Sequence, residues 1–212
     1  MGSARPRAAR RWLGTSLAAA VVVASLVGAR SGRIDALDRR VGAHLVRPRG
    51  TTVDRAVGVG TDLGSVYGLA GVCLALAIGG HRERAVELAA AGGLAWCAAQ
   101  GAKPLVGRAR PYQADGATRL VAEPAGSSWP SGHAAVAAAM ADTVAGRLAP
   151  GPRVLARTAA LGVACSRLYV GVHHPSDVAA GAGIGVLSAR AAAGLVRWRR
   201  RRRPGSADTT HG

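Results

Sequence analysis

The chain has 212 residues, 49% of them apolar, and 28 Lys and Arg against 11 Asp and Glu give it a formal charge of +17. The apolar fraction excludes intrinsic disorder, and Cys73, Cys97 and Cys165, few, odd in number and all in apolar stretches, exclude a disulfide scaffold. With no Phe and 3% aromatics any core is built from Ala, Leu, Val and Gly, and the basic excess, 27 Arg and the single Lys103, leaves two classes: a nucleic-acid binder, or a membrane protein with Arg-rich ends and loops.

Trp12 to Ala29 is free of charge, with Arg5, Arg7, Arg10 and Arg11 before it and Arg30 after it. It reads as a membrane helix, or as a cleavable leader given its basic start and Val27-Gly28-Ala29. Ile34, Leu37, Val41 and Leu45 then recur at helical spacing, predicting a short amphipathic helix either on the membrane surface or packed on the end of a bundle. Further apolar runs follow at Leu63–Gly80 (extendable to Ala56 across Asp62), Ala85–Ala102, His133–Ala149, Val154–Val172 and Val178–Val196. Spanning a bilayer takes about 20 mostly apolar residues. The first two long runs meet that test best, and the other four are rich in Ala and Gly, which suits helices packed against protein.

The expected fold is therefore all-α: a polytopic membrane bundle of about six helices within 12–197, after a basic cytoplasmic N-terminus, 1–11, and before a basic tail, 198–212, expected to be disordered. With both termini inside, the inner side collects the larger share of Arg, and Trp198 with Arg199 to Arg203 anchors that end. Such a tail attracts anionic lipid more simply than nucleic acid, for which no recognition helix or aromatic-interleaved basic surface is visible. Asp62, Glu87 and Asp142 either mark an ion path or lie near segment ends and pair with Arg across helices.

Three clusters carry chemistry, each at a predicted helix end: Lys103 to Pro111, Trp129-Pro-Ser-Gly-His133, and Ser166-Arg167 through His173-His174-Pro175-Ser176-Asp177. Alternating helix direction brings the end of the third helix, the start of the fourth, the end of the fifth and the start of the sixth to one membrane face. Lys103, Arg110 and Arg167 there make a cationic mouth suited to phosphate. Ser131 is placed to cap the fourth helix, and Gly132 lets an anion approach its N-terminus. His173 and Asp177, four apart, allow the carboxylate to fix the imidazole tautomer so that the other nitrogen attacks phosphorus. His133 can protonate the departing oxygen and then activate water. Outside this set, Arg108 reads as a rim or headgroup contact, His174 as a bystander or loop-facing polar residue, Tyr169 as packing, and His44 and His81 as interface residues.

Lys103-x6-Arg110-Pro111, Pro130-Ser131-Gly132-His133 and Ser166-Arg167-x5-His173-x3-Asp177 together resemble the signature of the type 2 phosphatidic acid phosphatase (PAP2) superfamily, with Trp129 where an aromatic, often Phe, is usual. By position, the resemblance implies His173 as nucleophile, Asp177 as its orienting carboxylate, His133 as general acid, and Lys103, Arg110, Ser131, Gly132 and Arg167 as phosphate ligands. It implies an integral membrane phosphatase that works without metal or cofactor. Its site would face the extracytoplasmic side and act on polyprenyl diphosphate, phosphatidylglycerol phosphate or phosphatidic acid. A membrane lipid-phosphate binder or transporter without turnover is the alternative.

Overall fold

The computed structural model describes residues 4–45 and 50–202. The helices, in chain order, are α1 (Ala4–Arg30), α2 (Asp35–Leu45), α3 (Thr51–Thr61), α4 (Val66–Ile78), α5 (Arg82–Ala102), α6 (Pro111–Ala114), α7 (Gly132–Ala145), α8 (Pro150–Tyr169) and α9 (Pro175–Arg202). All six apolar runs are helical, at α1, α4, α5, α7, α8 and α9. Helix α9 continues through Arg202, and the rest of the expected tail lies outside the described residues.

Among the described residues two helices are long and apolar enough to span a bilayer alone, Trp12–Arg30 at mean hydropathy 1.8 and Pro175–Arg199 at 1.5. They occupy different places. Only 11% of the α1 window is buried against 50% of the α9 window, so α9 runs through the bundle, against α1, α5 and α7, while α1 lies outside. The run read as a helix or a leader is thus a packed outer helix: Arg190 donates to Thr15 Oγ1 at 2.6 Å, and Ser25 Oγ donates to the Ser176 carbonyl at 2.9 Å.

The second run departs from expectation. It is no straight span but the latter half of a pair, Thr51–Gly64 and Val66–Ile78, bent by 64°. The sequence supplies the break. Ser65 caps α4, its Oγ accepting from Gly68 N at 3.1 Å and donating to the Asp62 carbonyl at 2.7 Å. A methyl on Gly64 would meet the His133 carbonyl at 2.8 Å, and one on Gly68 would meet the Asp62 and Leu63 carbonyls at 2.6 Å. The bend seats the Asp62–Gly64 turn on the start of α7.

Small residues set the seam between α7 and α9. Side chains added at Gly181 and Gly185 would overlap the carbonyl oxygens of Ser131 and Ala135, so the two backbones touch on successive turns. Backbone atoms cannot swing aside as side chains do. Gly185→Val is expected to destabilise the fold by about 1–3 kcal/mol, read as a lower thermal midpoint of the detergent-solubilised protein.

Helix α2 turns its polar side inward. Asp38 is 2% exposed, whereas Leu37, Val41 and Leu45, the predicted apolar face, are exposed. The two alternatives for this helix therefore combine: it packs on the bundle's end through Asp38 and presents an apolar stripe outward, as an interfacial helix does. The other membrane-depth carboxylates are paired or wet. Glu87 meets Arg147 at 2.5 Å, Asp142 meets Arg190 at 3.5 Å, and Asp62 is 74% exposed at the mouth described next.

Candidate active site

The ends of α5 and α8 and the starts of α7 and α9 meet at one end of the bundle, and all eight sequence-predicted site residues lie there. Helix α5 tightens at Lys103–Leu105 into a 3-10 turn, and the chain then turns at Gly107, φ 63°, on its way to Arg110, which precedes α6. Lys103 Nζ donates to the Ser127 carbonyl at 2.7 Å, and Ser127 Oγ returns a bond to the Lys103 carbonyl at 2.9 Å. The buried Arg110 guanidinium donates to the carbonyls of Val172 at 2.9 Å, Ala125 at 3.2 Å, and Gly126 and Ser127 at 3.3 Å. These bonds pull the loop before α7 and the loop before α9 around one cationic centre. Burial first, with the Arg110 charge beside it, pulls Lys103 down to about 8, while Asp177 opposes.

Ser131 caps α7, its Oγ accepting from Ala134 N at 3.4 Å, and its own N–H donates to the Asp177 carbonyl at 3.0 Å. A side chain added at Gly132 would meet nothing within 4 Å, so open space lies at the start of α7, where the helix dipole favours an anion. His133 follows, its Nε2 3.9 Å from Asp62 Oδ1. Arg167 reaches across from α8 and donates to Thr61 Oγ1 at 2.9 Å, while its buried Nε has no partner among the described residues. A cavity of about 760 Å³ opens over His133 and Arg167, walled by α3 and by the loop from Leu120 to Pro124.

His173 lies in the loop before α9, and its Nδ1 is 3.7 Å from Asp177 Oδ2, the pairing that the four-residue spacing predicts, at longer than hydrogen-bond range. Asp177, fully buried, is otherwise well supplied: Oδ2 accepts from Ser128 Oγ at 2.5 Å and His174 N at 2.8 Å, and Oδ1 from Arg108 Nη1 at 3.1 Å. Burial pushes His173 down to about 4 against the opposing pull of Asp177, so at neutral pH the imidazole is uncharged with a lone pair available.

Arg108 is the main correction to the sequence reading. It is no rim residue: its side chain is 9% exposed and bonds Asp35 at 2.5 Å, Asp38 at 2.8 Å, Asp177 at 3.1 Å and Ser176 Oγ at 2.8 Å. Asp38 also accepts from the Ser176 backbone N–H at 3.0 Å. One guanidinium thus ties α2 to the first turn of α9. His174 is buried too, with Nε2 3.3 Å from the Ala109 carbonyl. Trp129 packs as expected and also donates to Ser25 Oγ at 2.8 Å, and Tyr169 bonds Asp54 at 2.6 Å.

A family model, the PAP2 superfamily, matches residues 84–201, more than half of the chain. The chain belongs to the PAP2 superfamily. Two solved structures share its fold. The first transmembrane PAP2-type phosphatidylglycerolphosphate phosphatase from Bacillus subtilis aligns with TM-score 0.75 and 21% identity, covering 89% of this chain and 98% of that one. LpxE of Aquifex aeolicus aligns with TM-score 0.66 and 25% identity, covering 74% of this chain and 95% of that one. No curated protein matches the sequence. This PAP2 protein is a membrane protein with transmembrane helices, and the matched region runs from α5 to the end of α9. Helices α1 to α3 and the turn after them lie outside it, yet they contribute Ser25, Asp35, Asp38, Thr61 and Asp62 to the site's surroundings. These supports were not visible in the motifs. The sequence signal for one of them was the pair Asp35 and Asp38 on the polar side of an amphipathic helix.

Proposed function

We propose that this protein is an integral membrane lipid phosphatase that works through a phosphohistidine on His173. The observation that carries the reading is the buried His173, 3.7 Å from Asp177 and beside Arg167, whose buried Nε has no partner among the described residues. In the first step His173 Nε2 attacks phosphorus, the bond to the lipid oxygen breaks, and His133 gives that oxygen a proton. In the second, His133 takes a proton from water, the hydroxide attacks phosphorus, the P–N bond breaks, and inorganic phosphate leaves. Asp177 stabilises the imidazole as it becomes cationic. Lys103, Arg110, Arg167 and the α7 N-terminus at Ser131 and Gly132 hold the equatorial oxygens.

The substrate is a phosphate monoester or diphosphate of a lipid: polyprenyl diphosphate, phosphatidylglycerol phosphate or phosphatidic acid. With both termini inside, the site faces the extracytoplasmic side and receives lipid from that leaflet. The test is phosphate release by the purified protein across these lipids in the presence of chelator, with trapping of an acid-labile phosphoprotein that depends on His173. Lipid bound and moved across a bilayer with no phosphate released would leave the non-catalytic transporter instead.

Two of these groups shape the pH profile, beside His133, whose proton the first step needs. His173 attacks only when neutral, so kcat/KM falls as pH drops through about 4. Lys103 binds phosphate only when charged, so kcat/KM also falls as pH rises through about 8, with the loss appearing in KM. In Lys103→Arg the alkaline rise in KM moves to higher pH; a rise in KM that stays near pH 8 would remove Lys103 from phosphate binding.

A further inference from the structure

The end of the bundle away from the site holds a second concentration of positive charge. There the start of α5, the end of α7, the start of α8 and the last turns of α9 surround a cavity of about 730 Å³. Five arginines line it, with Glu87 and Asp142. Both carboxylates are already matched, Glu87 by Arg147 at 2.5 Å and Asp142 by Arg190 at 3.5 Å. Arg153 is spent on the backbone, donating to the carbonyls of Ala145 and Leu148 at 2.8 Å each. Two lining cations remain, Arg157 from α8 and Arg197 from α9, and neither has a side-chain hydrogen bond or ion pair among the described residues.

Charge that merely marks a membrane boundary stands on water-facing loops. Here it converges from the end of α7, the start of α8 and the last turns of α9 on one recess, and two guanidiniums on different helices are left over. Each can offer two parallel N–H donors, the geometry that grips a phosphate from two sides. The recess is of the size that holds a small ligand. Its lining includes Ala189 and Ala193, and the exposed Leu195 and Trp198 follow on the same helix, so apolar surface adjoins the charge.

We propose that this cavity is a second anion site, which binds the phosphate of an anionic phospholipid headgroup or of a soluble phosphate. It does not depend on the proposed catalysis. The experiment uses the full chain in uncharged detergent micelles and two probes, radiolabelled phosphatidylglycerol and inorganic phosphate. One of them is expected to bind saturably, and Arg157→Ala with Arg197→Ala is expected to weaken that binding about tenfold. Because neither side chain bonds within the described fold, this double variant keeps its thermal midpoint. Arg82→Ala with Arg84→Ala, at the same end but outside the cavity lining, leaves the affinity unchanged. Saturable binding of the lipid alone assigns the site to a headgroup, and of phosphate alone to a soluble anion. Phosphate held at the catalytic mouth survives the substitution, so the readout is the component lost. Absence of any such component, or an equal loss in both double variants, overturns the proposal.

Discussion

His173→Ala is expected to lower phosphate release by more than about a thousandfold while the protein still takes up lipid phosphate. The two halves of this expectation rest on different residues. The cations and the α7 N-terminus proposed to hold phosphate are anchored by bonds to carbonyls and to the Thr61 hydroxyl and by helix capping, none of which involves the imidazole. Removing the imidazole therefore takes away the nucleophile and leaves the cradle. The measurement pairs single-turnover phosphate release with equilibrium binding of the same lipid. Release that persists in the variant would refute a covalent route through this residue. Lost binding as well as lost release would mean that the imidazole is part of the cradle.

Arg108→Leu is expected to cost the most stability of any single change in the site. The side chain is the cation shared by Asp35, Asp38 and Asp177, and the last two are 2% and 0% exposed. Breaking a buried ion pair from one side leaves uncompensated charge and typically costs about 3–5 kcal/mol. Release of phosphate falls too, through kcat, because the carboxylate facing His173 loses the bond that fixes its Oδ1 edge. Adding Asp38→Leu to Arg108→Leu should restore part of the stability, since an apolar pair can replace a buried ionic one. Thermal midpoints of the single and double variants, beside kcat and KM, check both parts. A double variant no more stable than Arg108→Leu alone would show that Asp38 and Arg108 do not act as a pair.

The site was legible in the sequence to the extent that helix ends and motif spacing define it. Lys103, Arg110, Ser131, Gly132, His133, Arg167, His173 and Asp177 all fall where alternating helices converge, and topology alone predicts that meeting. What surrounds them depends on contacts across long stretches of chain. Asp38 bonds Ser176 across 138 residues, and no local pattern announces such a pair. Arg108 read as peripheral because one position off a motif has no visible partner until α2 folds over it. The bend at Gly64 was hidden for a similar reason. Hydropathy sums over a run, whereas the break comes from a serine cap and from glycines pressed against carbonyls of other segments.

The glycine seam between α7 and α9 also bears on how finely the site is set. His173 and Asp177 stand at the head of α9, and the anion cradle stands at the head of α7. At Gly181 and Gly185 no α9 side chain stands between the two backbones to change rotamer and let the helices drift. Backbone rests on backbone at Gly181 and Gly185, and the Ser131 N–H to Asp177 carbonyl bond at 3.0 Å closes the top of the seam. The spacing between the proposed nucleophile and the proposed cradle is thus gauged by van der Waals radii of main-chain atoms, a ruler that side-chain substitutions elsewhere in the bundle leave unchanged.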